Sequence, residues 1–220
     1  MILDGPLLYK NKSMNDPEIF NFLNGTIGCF STAYPNAERD NQDSLAVIPI
    51  SENEGLLILA DGIGGHKAGD QASKIVIETF HKIANNWKPK YKNLTELILD
   101  GFQVSNNNIR SLGIGAGTTL IVAEISKAYV RFFNIGDSCG FLYGGKGNLK
   151  YKTLEHSAGG LAKSSQLFKE KEIEEKKGNN ELLHALGDEI LQIGISSPIE
   201  TSTRDLILLC SDGLTSNLTE

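Results

Sequence analysis

The alternation of apolar and polar positions divides this chain into paired strands and two helices. Ser44 to Ile50 and Leu56 to Ala60 are apolar runs around the polar turn Ser51-Glu52-Asn53-Glu54-Gly55, which predicts a β-hairpin. In an antiparallel ladder, residues equidistant from the turn face each other. A turn centred near residue 52 therefore sets Asp43 opposite Asp61, at the open end of the hairpin. Thr118–Ile125 and Ala128–Ile135 flank Ser126-Lys127 and predict a second hairpin, and the same counting puts Asp137 opposite Ala116. Between the hairpins, Ala72, Ile75, Val76, Thr79, Phe80 and Ile83 follow a 3.6-residue stripe that starts at Ala68 and breaks at Lys88-Pro89-Lys90. A second stripe, Leu97, Ile98, Phe102, Ser105 and Ile109, predicts a helix from about Thr95 to Leu112. Ile27–Ala33, Phe141–Tyr143, Leu149–Lys152, Ile190–Ile195 and Asp205–Cys210 read as further strands. Residues 1–24 are polar and turn-rich and read as a loosely attached lead-in. Consecutive hairpins favour antiparallel sheets, and adjacent amphipathic helices need a sheet face to cover, so the pattern predicts an α+β fold.

Composition narrows the class. With 220 residues, 40% hydrophobic and 22% charged, the chain is long enough for one domain with a real core. A net charge of -6 argues against a nucleic-acid partner, which needs a basic face. Three widely spaced cysteines, Cys29, Cys139 and Cys210, form no CxxC pair, which points to a reducing compartment. No signal-like segment opens the chain and no apolar run reaches 18 residues, so a cytoplasmic protein with no membrane partner is expected.

The candidate chemistry lies at strand ends. Leu56–Ala60 runs into Asp61-Gly62-Ile63-Gly64-Gly65-His66, and Leu206–Cys210 runs into Ser211-Asp212-Gly213-Leu214. A carboxylate at the mouth of an apolar strand is costly unless a positive group sits there. Asp43, Asp61, Asp137 and Asp212 gathered at one rim would repel one another, and a divalent cation removes that cost. Oxygen-only ligands select hard ions such as Mg²⁺ or Mn²⁺. A single Asp-Gly after a strand is ordinarily a turn; the in-register partner and the second Asp-Gly favour a site. His66 is either a ligand or acid, or a loop histidine supporting its turn. His81, His156 and His184 lack metal-ligand spacing and read as structural or surface groups. The charged run Lys169–Lys177 reads as a solvated helix or flap. Competing motifs fail on detail: Gly160–Ser164 lacks the P-loop glycines, Gly113–Gly117 precedes a strand rather than a helix, and Ser157 lies in no G-x-S-x-G elbow.

Seven segments in order resemble the PP2C-like (PPM) metal-dependent Ser/Thr protein phosphatases, prokaryotic branch. They are Asn41-Gln42-Asp43-Ser44; Asp61–His66 with Gly69 and Ala72-Ser73; Gly117-Thr118-Thr119; Asn134-Ile135-Gly136-Asp137-Ser138; Glu155-His156-Ser157; Leu183–Gly187; and Ser211–Leu214. The resemblance covers about residues 26–220, and a phosphatase domain over 25–220 is expected. It implies a four-layer α-β-β-α sandwich of antiparallel sheets flanked by helix pairs. It also implies two Mn²⁺ or Mg²⁺ ions, with a third held more weakly. Asp61 would bridge the metals, Gly62 would lend its carbonyl, and Asp43 would act through metal-bound water. Asp212 would bind the other metal, and Asp137 with Asp212 would hold the third. A metal-bridging hydroxide would attack phosphoserine or phosphothreonine of a protein substrate, with a Ser/Thr kinase as counterpart and a monomeric enzyme. Residues 155–180 would form a flap over the substrate.

The chain departs from the family's usual pattern at named positions. Glu38 occupies the slot of a phosphate-gripping arginine, leaving Arg39, one place later, as the candidate phosphate-binding residue. Cys139 stands where an arginine is usual, and Ile63 where some members have histidine. The family's closing Asp-Asn element and the buried strand after it have no match up to Glu220, so the resemblance leaves one metal ligand and the last strand of the sandwich unmatched. Two other readings follow from these departures: a phosphatase-like binding or regulatory module, and a small-molecule phosphoester hydrolase.

Overall fold

The computed structural model describes residues 3, 5–34, 40–63, 68–87, 93–158 and 182–217. Its centre is an antiparallel sheet in which β1 (Leu7–Lys10), β4 (Asp43–Pro49), β5 (Glu54–Ile63), β7 (Leu120–Ser126), β8 (Tyr129–Ile135) and β11 (Gly194–Ile195) lie side by side in that order. Two short strands extend it: β6 (Gly117–Thr118) pairs with β5, and β12 (Ile199–Glu200) with β8. A smaller sheet runs β10 (Leu149–Lys152), β9 (Cys139–Tyr143), β13 (Leu206–Cys210), and β2 (Glu18–Phe22) with β3 (Gly25–Cys29) makes a separate hairpin.

Period-two alternation separates two cores. Ala46, Ile48, Leu56, Ile58, Leu120 and Val122 face helices α1 (Ala68–Asn86) and α2 (Leu94–Ser111). Their neighbours Leu45, Val47, Leu59, Ile121 and Ala123 face the smaller sheet, packing with Leu142, Ile207 and Leu209. The large sheet is thus buried on both sides, which is why β4 and β5 read as nearly unbroken apolar runs. Each fully buried large side chain contributes about 1.5–3 kcal/mol. Asn93 caps α2 by accepting the Glu96 N–H at 2.8 Å. Among the described residues, no helix is long and apolar enough to cross a membrane.

The first hairpin has the expected register: Asp43 pairs with Asp61 and Pro49 with Gly55. The second does not. Its ladder closes at Ile125–Val130, and the turn is Lys127-Ala128, one residue later than expected. The Ser126 hydroxyl accepts the N–H groups of Ala128 and Tyr129, so Ser126 belongs to the strand side of the turn. Asp137 consequently does not face Ala116. The expected lead-in at 1–24 is also corrected. Leu7–Lys10 pairs with Ser44–Val47 at the edge of the large sheet, and Met14 N–H bonds Ser31 O at 2.7 Å. Polar composition hid these strands because edge strands carry polar faces. The strand expected at 27–33 is Gly25–Cys29, and of Ile190–Ile195 only Gly194 and Ile195 are strand, paired with Asn134 and Phe133 near the end of β8. The charged run Lys169–Lys177 and most of the expected flap lie outside the described residues.

Helices α1 and α2 touch through an edge-to-face pair, Phe80 and Phe102, with ring centroids 6.2 Å apart. Gly101 admits this contact: a Cβ there would stand 2.5 Å from the Phe80 ring, which is fully buried and has nowhere to retreat. Gly101→Ala gains about 1 kcal/mol in helix propensity but overpacks a dry interface at about 1–3 kcal/mol. Net destabilisation is the expected outcome, read as a lowered urea midpoint with unchanged slope; a raised midpoint contradicts this packing account.

Candidate metal centre

The open end of the β4–β5 hairpin forms the rim. Asp43 begins β4 and Asp61 lies across from it in β5. Asp43 is fixed from three directions. Its N–H donates to Asn41 Oδ1 at 2.9 Å, and its carboxylate accepts the Ser211 hydroxyl at 3.1 Å. The carbonyl of Gln42, next in the chain, accepts the Ser73 hydroxyl of α1 at 2.6 Å. Asn41 is buried and in turn donates to Lys12 O and the Ser31 hydroxyl. The N-terminal segment therefore supports the rim rather than trailing from it.

Asp61 is held through its backbone. Its N–H donates to Thr119 Oγ1 at 3.2 Å, and its carbonyl accepts both Thr119 N–H at 2.9 Å and Thr118 Oγ1 at 2.8 Å. Gly62 follows, pairs with Thr118, and touches the first turn of α1. A Cβ on Gly62 would stand 2.2 Å from Gly69 O, and one on Gly69 would stand 2.7 Å from Gly62 C. Both positions need glycine because backbone meets backbone there.

Asp137 sits in the turn after β8, and Asp212 opens the short helix α3 (Asp212–Thr215) after β13. Electrostatics shows that the four carboxyls share one region. Burial first, then the charges of Asp43, Asp212 and Asp137, push Asp61 up to about 9. Burial also raises Asp43, with Asp212 adding to it, while hydrogen bonds from Ser211 and Asp61 oppose the rise. Asp137 is raised by burial, then by Asp212 and Glu155. At neutral pH Asp61 holds a proton shared with Asp43, as buried like charges require.

Three half-buried, raised carboxyls beside the exposed Asp212, with the Gly62 backbone at their edge, form a hard-oxygen donor set that fits Mg²⁺ or Mn²⁺. Among the described residues, no three His, Cys, Asp or Glu side chains already close around one point. The carboxyls are gathered, not chelating, as expected where repulsion is relieved by protons.

Asp43, Asp61, Gly62, Asp137 and Asp212 are thus brought to one rim. Arg39, Glu38 and His66 lie outside the described residues. Cys139 is buried, its thiol 3.3 Å from Glu155 Oε1. The structure joins two histidines that spacing left unrelated: the rings of His156 and His184 meet edge to face at 5.9 Å. They flank the Ser157–Leu182 bridge. Sequence reasoning also missed the hydroxyls of Ser211, Thr119 and Ser138. Their only signal was position, each within two residues of a carboxylate or inside a Gly-Thr-Thr run.

The family model described as protein phosphatase 2C matches residues 36–220. The serine/threonine phosphatase stp of Listeria welshimeri is 32% identical over 203 residues, covering 87% of this chain and 79% of that protein. The catalytic domain of serine threonine protein phosphatase PstP, solved in complex with two manganese ions, superposes with TM-score 0.66 at 25% identity, covering 84% of this chain and 76% of that one. Stp1 from Staphylococcus aureus superposes with TM-score 0.73 at 22% identity, covering 87% and 77%, and shares the fold.

The raised carboxyls fix how metal-free stability depends on pH. The folded chain keeps the Asp61 proton up to about pH 9, whereas the unfolded chain releases it near the ordinary carboxylate value of 3.8. Between those values the folded state binds more protons, so stability falls as pH rises. In chelator, the melting temperature is expected to drop steadily from pH 5 to pH 8, and Asp61→Asn to flatten that slope. A wild-type slope equal to that of Asp61→Asn contradicts the burial of a protonated carboxyl.

Proposed function

Because the chain belongs to the protein phosphatase 2C family, we propose that its carboxylate rim is the centre of a metal-dependent phosphatase acting on phosphoserine and phosphothreonine in proteins. The observation that carries this reading is the in-register pair Asp43–Asp61, on which Asp212 acts electrostatically. Asp61, the Gly62 carbonyl and Asp212 would hold two Mn²⁺ or Mg²⁺ ions, Asp43 would act mainly through metal-bound water, and Asp137 with Asp212 would hold a third ion. When bound, the cations supply an activated water and a positive clamp for the phosphate.

The chain's own residues do the rest. Cations held by Asp61 and Asp43 would displace the proton that keeps this pair from full ionisation, so uptake is coupled to proton release. Ser211 keeps one Asp43 oxygen occupied and so sets the direction of the other. Arg39 is assigned to the substrate phosphate from its place in the sequence. No side chain is asked to attack phosphorus. Burial pushes the Cys29 and Cys210 thiols up to about 11, and Cys139 is raised further, so none is a thiolate at neutral pH. On the family's mechanism a metal-activated water would be the nucleophile, with no phosphoenzyme. In a cell the substrates are phosphoproteins made by a Ser/Thr kinase, in the cytoplasm.

Phosphate release from a phosphothreonine peptide tests the reading. Mn²⁺ is expected to stimulate turnover, and Asp61→Asn to lower it at least about a hundredfold, since loss of even a supporting group around a metal costs 10–100-fold. Turnover unaffected by Mn²⁺ removal, or by Asp61→Asn, overturns it.

A further inference from the structure

Asp61 and Asp137 come from different strands, β5 and the end of β8, with β7 between them in the sheet. The regular ladders stop short of both: β5–β7 ends at Leu59–Ile121 and β7–β8 at Leu120–Ile135. Between Leu59–Ile121 and the β5–β6 pair Gly62–Thr118 the ladder is interrupted at Asp61, and β8 leaves its ladder after Ile135, so the link between the two carboxylates runs through the residue at that interruption.

Thr119, between β6 and β7, fills that gap. It takes both backbone groups of Asp61: its N–H donates to Asp61 O, and its hydroxyl accepts Asp61 N–H. The same hydroxyl lies 2.7 Å from the hydroxyl of Ser138, the residue after Asp137. Thr119 is 2% exposed and Ser138 1%, so water cannot replace either partner. The turn carrying Asp137 is pressed onto this contact by Gly136, at φ +100 in the left-handed region, where a Cβ would stand 2.7 Å from Thr119 Cβ.

We infer that Thr119 and Ser138 are positioning residues, whose buried hydroxyl pair locks the backbone of Asp61 to the turn bearing Asp137, so that the two carboxylates take up divalent cations as a linked set. This rests on the metal-dependent reading above. Removing the Thr119 hydroxyl strands both the Ser138 hydroxyl and the Asp61 N–H, whereas removing the Ser138 hydroxyl leaves Thr119 bonded to Asp61 but cut off from the turn. Removing both therefore costs the site no more than removing that of Thr119 alone. A role in folding alone would lower stability without changing the cation affinity of the folded protein.

The test uses the full chain with three variants and their combination. Thr119→Val keeps volume and loses the hydroxyl, Ser138→Ala loses the other, and Thr119→Ser keeps the hydrogen bond. Mn²⁺ affinity is read from the electron-spin-resonance signal of free Mn²⁺, and the exchange rate of the Asp61 amide is read in the metal-free protein. Affinity is expected to fall about ten- to hundredfold in Thr119→Val and in Ser138→Ala. The double variant is expected to be no weaker than Thr119→Val, and Thr119→Ser to bind like wild type. Affinities within twofold of wild type, or losses that add in the double variant, overturn the proposal. Where Ser138→Ala does not fold, Ser138→Cys, of similar size and poor at hydrogen bonding, replaces it with the same expectations. Wild type that takes up no Mn²⁺ sinks the metal reading instead; the lock is then judged on the Asp61 amide, which exchanges faster in Ser138→Ala if the lock exists and unchanged if it does not.

Discussion

Like charges forced together at the end of a sheet are the constraint on which this molecule turns. Asp43 and Asp61 cannot avoid each other, because the hairpin register that buries Leu45, Val47 and Leu59 on one face and Ala46, Ile48 and Ile58 on the other also sets them side by side. A one-residue slip would separate the two carboxyls but turn the side chains of a strand into the opposite core and mispack both faces. The hydrophobic effect therefore holds the carboxyls in place, and Asp212 and Asp137 aggravate the crowding. Such an arrangement persists only with protons or cations between the oxygens. The fold supplies the strain, and the cations of the family's chemistry relieve it.

The surroundings serve that one pair. Gly62 and Gly69 let β5 and α1 meet backbone to backbone, which brings Ser73 of α1 onto the carbonyl before Asp43. Asn41 ties the same strand to the N-terminal segment through Lys12 and Ser31. Ser211 reaches across from the smaller sheet. Both sheets, the helical layer and the N-terminal segment thus converge on a few oxygens, each by a hydrogen bond from a neutral group. Neutral donors fix geometry without the positive charge that would compete with a cation.

Much of this was legible in the sequence, and the reasons are particular. The first hairpin was readable because its turn is polar, symmetric and bounded by unbroken apolar runs, so Asp43 and Asp61 followed from counting. The second hairpin misled because Ser126 looks like a turn residue while serving the strand, and one residue of error displaced Asp137. The N-terminal strands were hidden by their polar edge faces. Thr119, Ser138 and Ser211 stood inside the matched segments, but their supporting role was not readable, since nothing in a Ser or Thr announces a long-range partner. His156 and His184 show the same limit: two unrelated positions become neighbours only when the chain closes between them. The family resemblance supplied roles that pattern alone did not, and the raised carboxyls give those roles a physical basis.

Diffraction at the manganese absorption edge from crystals grown with Mn²⁺ tests the central claim most directly. The account predicts anomalous peaks between the Asp61 carboxylate and the Gly62 carbonyl on one side and between Asp61 and Asp212 on the other, with Asp43 turned toward the first. Anomalous density only elsewhere on the surface, with Asp43 and Asp61 still sharing a proton, would contradict it.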